Sequence, residues 1–218
     1  MGERSIVEIF PQRSMIFLMK VMALSGGIAT GKSTLLAMMA EELPDIGIYD
    51  CDEGVQRHLS DRGTLDEIEQ VLEVSILSKG GSLDRAKLRA LVFENPDLRQ
   101  KLEGVIHPKL RKECLEKVAE YRKHGRTTLF VADVPLLFES GFDFGQEFNL
   151  VVATSEVTQR ARLKARSHFD DRMISSIFSA QLPIMGKVAR ADVVFWNEGR
   201  RVALQRQLCR FLNFTLNS

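Results

Sequence analysis

The stretch Gly26-Gly27-Ile28-Ala29-Thr30-Gly31-Lys32-Ser33 decides how this chain is read. It fits G-x-x-x-x-G-K-[ST], a loop that cradles phosphate groups. Its glycines let the backbone curl until several N–H groups point at one anion. Lys32 can reach the β and γ phosphates, and the Ser33 hydroxyl can ligate Mg²⁺. The chemistry needs a strand in front of the loop and a helix behind it, and both are present. Met22-Ala23-Leu24-Ser25 reads as an apolar strand. Residues 35–43 are rich in helix formers and stop at Pro44. A helix starting there adds partial positive charge at the phosphates. A glycine turn carrying a lysine by accident would not have this flanking order. Such a loop announces nucleoside triphosphate binding, but kinases, switches and motors share it. The rest of the chain has to choose among them.

Working outward, the 218 residues suit one large domain that folds without disulfides or a structural metal. Hydrophobic residues at 44% and charged residues at 27% exclude a disordered tail, a collagen-like repeat and a membrane bundle. Thirty basic against 29 acidic residues leave a net charge of +1, which gives no support for broad nucleic-acid binding. No apolar stretch reaches the ~18 residues of a membrane span. Cys51, Cys114 and Cys209 are widely spaced without a Cys-x-x-Cys, as in a cytosolic protein with reduced thiols. The expectation is therefore a cytoplasmic protein without nucleic-acid or membrane partners, monomeric or weakly self-associating. The run Ile16-Phe17-Leu18-Met19 behind Arg4 and Arg13 imitates a signal peptide but has no small-residue cleavage site and runs into the first strand. Ile6 breaks the myristoylation pattern. Residues 1–18 read as an N-terminal extension and a candidate for disorder, with Met15 and Met19 available as later starts.

Ile46-Gly47-Ile48-Tyr49 reads as a second strand, with Asp50-Cys51-Asp52 at its C-terminal end. Open parallel sheets bind ligands there. Asp50 and Asp52 leave the same side if the extended geometry persists. Asp52 can then take the proton of an acceptor hydroxyl and hold it in line with a γ-phosphate. Equally, Asp52 can simply cap a helix beginning near Gly54; position alone does not choose.

A third strand, residues 127–132, leads into Asp133-Val134-Pro135-Leu136-Leu137-Phe138-Glu139. Proline lacks an N–H and ends the pairing. Asp133 is placed to hold Mg²⁺ through water, whereas ordinary turn chemistry suffices for Glu139. Residues 150–154 form a fourth strand. The helix after Ser155 carries Arg160, Arg162, Lys164 and Arg166 without an acid among them. Arg162 and Arg166 share one face and Arg160 and Lys164 roughly the other. One face can meet a polyphosphate while the other stays in water, although basic runs are commonly just solvated. Pro183 and Gly186 break the segment that follows, Val193-Val194-Phe195-Trp196 is a fifth strand, and residues 200–211 form a closing amphipathic helix. Between strands two and three lies a long helical insertion, in which Lys79-Gly80-Gly81-Ser82 is a local loop and His107 before Pro108 reads as a turn residue.

Taken in order, these features resemble the dephospho-coenzyme A kinase family. The resemblance is carried by residues 24–34, Asp50-Cys51-Asp52, Asp84-Arg85 with Leu88-Arg89 and Val92-Phe93, His107-Pro108, residues 134–139, Arg162 with Arg166, Ala180-Gln181, and Asn197-x-Gly199. It spans roughly residues 21–206. It implies an α/β fold: a three-layer P-loop NTPase core with a five-stranded parallel sheet, a helical substrate-binding insertion and a helical lid. Residues 1–18 fall outside it. Residues 19–218 form a single kinase domain, with core segments 19–53, 125–155 and 191–218, a CoA-binding insertion at 54–124 and a lid at 156–190. It implies ATP-dependent phosphorylation of the ribose 3′-hydroxyl of dephospho-CoA, with Mg²⁺ as cofactor. Asp52, Lys32, Arg162 and Arg166 become the catalytic candidates. Gly27, Ile28, Ala29, Thr30, Gly31, Lys32, Ser33, Thr34 and Asn197 become the ATP-binding ones. Asp52, Arg85, His107, Pro135 and Leu136 face the acceptor, and Ser33 the metal. Two positions depart from the family pattern: Ala29 stands where Gly is usual and is tolerated if its φ is negative, and Trp196 stands where Asp is common. The rival readings are a kinase for another small molecule, such as a nucleoside, and a non-catalytic nucleotide switch.

Overall fold

The computed structural model describes residues 19–166 and 169–216. The expected disorder of residues 1–18 lies outside the described residues. Five strands form one parallel sheet in the order β2-β3-β1-β4-β5. They are β1 (Lys20–Gly26), β2 (Gly47–Asp50), β3 (Leu129–Asp133), β4 (Phe148–Ala153) and β5 (Val193–Trp196). Between β1 and β2 runs α1 (Lys32–Glu42). Between β2 and β3 stand α2 (Cys51–His58), α3 (Arg62–Leu72), α4 (Arg85–Glu94) and α5 (Pro96–His124). The short α6 (Leu137–Ser140) follows β3. After β4 come α7 (Glu156–Arg166), α8 (Asp171–Ser179) and α9 (Ile184–Val188), and α10 (Arg201–Leu216) ends the described chain.

The two faces of the sheet explain the continuous apolar runs, because strands covered on both sides cannot alternate apolar with polar. Val21, Ala23, Phe130 and Ala132 point to one face, where Ile68, Leu110, Cys114 and Val118 of α3 and α5 cover them. Met22, Leu24, Leu129, Val131, Leu150 and Val152 point to the other, against Leu35, Met38 and Met39 of α1 and Leu204 and Leu208 of α10. The alternation along β1 is the period-2 geometry of a strand. Tyr121 of α5 meets the fully buried Phe130 edge-on at 5.7 Å.

Short polar side chains start the helices. Asp50, Asp61, Asp84 and Asp170 each accept a hydrogen bond from the backbone N–H three residues on, at 2.7 to 3.0 Å. Asn95 caps α5 by accepting from Asp97 and Leu98, with Pro96 at the first helical position. Two sequence expectations change. His107 is no turn residue: α5 runs 29 residues straight through Pro108. Proline removes one helical N–H and crowds the carbonyl four residues back, which here belongs to Gly104. Gly186 does not break the chain either; it lies inside α9, where a Cβ would meet the Leu182 side chain at 3.1 Å.

Candidate active site

A cleft of about 770 Å³ opens at the C-terminal ends of the strands. Residues 26–34 form its floor, and Asp52, Pro135, Arg162, Arg166, Gln181, Asn197 and Gly199 stand around it. The parallel sheet causes this convergence: each strand hands its following loop to the same edge. Gly31 precedes α1 with φ +98° and makes no side-chain cap, so the first-turn N–H groups of α1 are left to an anion. A Cβ at Gly31 would collide with Asn197 Nδ2.

Ala29 has φ +56°, so the expectation of a negative φ fails. A Cβ in the left-handed region costs about 1–2 kcal/mol. The loop shape around it is held by partners from elsewhere. Arg162 Nη1 donates to the carbonyls of Ala29 and Thr30, both at 3.3 Å, and Nη2 to the carbonyl of Asn197 at 2.9 Å. Asn197 Nδ2 donates to the Thr30 carbonyl at 2.8 Å. Thr30 Oγ1 closes on the Gly27 carbonyl at 2.9 Å. Arg162 is thus a brace of the phosphate loop as well as part of the cleft wall.

Asp52 sits in the first turn of α2, so the extended geometry ends at Asp50. The cap belongs to Asp50, whose Oδ1 accepts from Glu53 N–H at 3.0 Å. Asp52 lines the cleft. Although the residue is exposed overall, partial desolvation at the cleft wall raises its carboxyl above the usual aspartate value; Asp50 adds to the rise and Lys32 opposes it. Lys32 forms an ion pair with the buried Asp133. Burial pushes the Asp133 carboxyl up, against the pull of Lys32. Ser33 and Thr34 are exposed on the cleft floor.

The two faces of α7 divide differently from expectation. Arg166 lines the cleft with Arg162. The other face is not simply in water: Arg160 pairs with Glu156 at 2.8 Å and lies 4.6 Å over the Phe178 ring, and Lys164 pairs with Asp171 at 2.6 Å. Pro135 is in the cleft wall, but Leu136, Arg85 and His107 are absent from its lining. Arg85 is an exposed first residue of α4, and His107 is half-buried with its ring 6.1 Å from that of Phe142. Trp196 is exposed and lines a neighbouring cleft of about 530 Å³ beside Phe178 and Arg160.

Sequence reading missed Glu198 and Lys187 and read Glu139 as a turn residue. Glu198 accepts from Thr154 Oγ1 at 2.5 Å, Ser155 N–H at 2.7 Å, Ser155 Oγ at 2.8 Å and Thr158 Oγ1 at 2.5 Å. These bonds hold its carboxyl down at about 2 and tie the β5–α10 turn to the start of α7. Glu139 is no mere turn residue: it pairs with the fully buried Lys187 at 2.8 Å. The one sequence signal for Lys187 was a lone cation inside the apolar run Ile184–Val188.

The dephospho-CoA kinase family model matches residues 20–202. The chain belongs to the dephospho-CoA kinase family. Among relatives of this kinase, the dephospho-CoA kinase of Symbiobacterium thermophilum is 38% identical over 183 residues, covering 83% of this chain and 75% of the relative. That of Geobacillus kaustophilus is 38% identical over 193 residues, 87% of this chain and 93% of the relative. A crystal structure of a Thermus thermophilus protein superposes with a TM-score of 0.75 at 28% identity, covering 90% of this chain and 97% of its own. The Campylobacter jejuni dephospho-CoA kinase shares the fold with a TM-score of 0.63 at 23% identity, over 91% of this chain and 98% of its own. Membership makes the chain a phosphotransferase of CoA biosynthesis that uses ATP and dephospho-CoA. Among the described residues, no helix is long and apolar enough to cross a membrane.

Proposed function

We propose that this kinase moves the γ-phosphoryl group of ATP onto the 3′-hydroxyl of dephospho-CoA inside the cleft above residues 26–34. The reading is supported above all by Asp52, which stands in the wall of the same cleft as the phosphate loop while Asp50 does the capping. Asp52 accepts the hydrogen bond of the acceptor hydroxyl and receives its proton as the oxygen–phosphorus bond forms. The bond from the γ phosphorus to the departing ADP oxygen breaks, and Lys32, Arg162 and Arg166 balance the charge that collects there. Phosphoryl transfer asks little covalent chemistry of a protein, so positioning and charge carry the rate.

The donors at the cleft are hard oxygens: the exposed Ser33 hydroxyl and the carboxylates of Asp52 and Asp133. They suit Mg²⁺, which takes oxygen ligands, keeps several waters and binds largely through nucleotide phosphates. Ser33 would hold it directly and Asp133 through water, and when bound it would neutralise phosphate charge. Asn197 and residues 27–34 take the nucleotide, and Pro135 borders the acceptor. Residues 54–124 carry the rest of the acceptor, Arg85 and His107 lying on that insertion away from the chemistry, while Leu136 stays outside the cleft. Residues 156–190 act as the lid that excludes water. The kinase works in the cytoplasm as a monomer or weak homo-oligomer, without nucleic-acid or membrane partners.

The test is ADP release from ATP and Mg²⁺ with and without dephospho-CoA, the product identified by mass. CoA should form one-for-one with ADP, and Asp52→Asn should lower kcat by about 10²–10⁴-fold with ATP binding little changed. ATP binding without CoA formation would remove the reading and leave a kinase for another acceptor or a switch.

A further inference from the structure

The segment that returns from α8 to β5 is fastened at three points between residues 181 and 187. Gln181 Oε1 accepts from the Ile28 N–H at 3.2 Å, and the Leu182 N–H donates to Glu139 Oε1 at 2.9 Å. Lys187 is fully buried, and its Nζ donates to three oxygens, one at the end of β1 and two in the segment after β3. These are Glu139 Oε1 at 2.8 Å, the Pro135 carbonyl at 2.9 Å and the Gly26 carbonyl at 3.3 Å. An ammonium has three protons and no acceptor, so its capacity is filled. Ser25 Oγ also donates to the Pro135 carbonyl, at 3.1 Å.

Stability alone does not account for this arrangement. Replacing a buried ion pair with apolar groups of similar size is often neutral or stabilising. What Lys187 achieves that an apolar side chain cannot is to hold the carbonyl at the end of β1 and a carbonyl of the turn after β3 on one point. Gly26 opens the phosphate loop, and Pro135 is the cleft wall beyond β3. In-line transfer needs reacting atoms about 3–3.5 Å apart, and a misplacement of about 1 Å can cost ~10²-fold.

We propose that Glu139 and Lys187 are a positioning pair for phosphoryl transfer. The buried ammonium fixes the phosphate loop against the acceptor wall, and Glu139 fixes the ammonium. Neither residue touches the reactants. The inference rests on the reading that the acceptor hydroxyl lies between Asp52 and Pro135.

The experiment compares wild type, Lys187→Met and Glu139→Gln, with calorimetric ATP binding, near-ultraviolet circular dichroism and steady-state kinetics in both substrates. Lys187→Met should fold and bind ATP within about threefold of wild type, while kcat falls on the order of 10²-fold at nearly constant KM for ATP. The share of ATP hydrolysed without CoA formation should rise. Glu139→Gln keeps an acceptor and should lose on the order of tenfold in the same direction. A folded Lys187→Met with kcat within about threefold of wild type, or with its whole loss in KM for ATP, overturns the proposal. If Lys187→Met does not fold, Glu139→Gln decides on the same criteria. A wild type that binds ATP and makes no CoA would fail the functional reading instead of this one.

Discussion

Asp52 carries a cost besides the role proposed for it. Its carboxyl is raised above the ordinary value of 3.8 by desolvation and by Asp50. A raised acid binds its proton more tightly folded than unfolded, so between 3.8 and the raised value stability falls as pH rises. Above that window the ionised carboxylate is a lasting burden on the fold. Asp52→Asn should therefore raise Tm at pH 7 and leave it unchanged at pH 3, opposite to its effect on kcat. If Asp52 accepts the proton as proposed, kcat/KM in wild type should decline as pH drops through a window above that of a free aspartate; a pH–rate profile reads this directly. Ala29 carries the second residue-scale prediction. At φ +56° its Cβ is strained, whereas glycine adopts that conformation freely. Ala29→Gly should stabilise by about 0.5–1 kcal/mol after the entropy lost to a freer unfolded chain. That is a Tm rise of about 1–4 °C in a scanning calorimeter.

At the scale of the element, α7 shows why a basic run can be misread. Its arginines divide by helical face, and even the two that share the cleft face do unlike things. Arg162 spends its guanidinium on three backbone carbonyls of the phosphate loop and the Asn197 turn. Arg166 is exposed in the cleft wall. The two alanine variants should separate. Arg166→Ala should lower kcat by about 10²–10³-fold, the cost of one charge-stabilising donor, with Tm unchanged. Arg162→Ala should also weaken ATP binding and lower Tm, because it removes the guanidinium bonds to the Ala29 and Asn197 carbonyls. Equal Tm for both would contradict the bracing seen here. The start of α7 is likewise set from outside, by Glu198 beyond β5.

Across the whole molecule, the helical insertion and the sheet do not have separate interiors. Phe130 and Val21 of the sheet lie in one apolar cluster with Ile68, Ile106 and Leu110 of the insertion. Unfolding should accordingly be a single cooperative transition. Trp196 fluorescence from the β5 end and far-ultraviolet circular dichroism should give coincident denaturant curves. Phe130→Ala should lower stability by about 3–5 kcal/mol on both probes together. Two separated transitions would show an insertion that folds alone.

The sequence by itself determined the five strands, the phosphate loop and the family, because these depend on local pattern. Apolar runs mark strands buried on both faces, and the glycine spacing marks backbone that must curl around a phosphate. It also placed Asp52 near the chemistry, yet could not decide between base and cap, since both need an acid at the same turn. Tertiary structure gave the cap to Asp50 and left Asp52 in the cleft wall. It alone revealed the left-handed Ala29, the bracing by Arg162, and the meeting of Glu139 with Lys187. Those features depend on contacts between residues 35 to 133 positions apart, made only when the parallel crossovers bring strand ends to one edge. A buried lysine is tolerable only where oxygens already converge, and no local pattern announces that convergence.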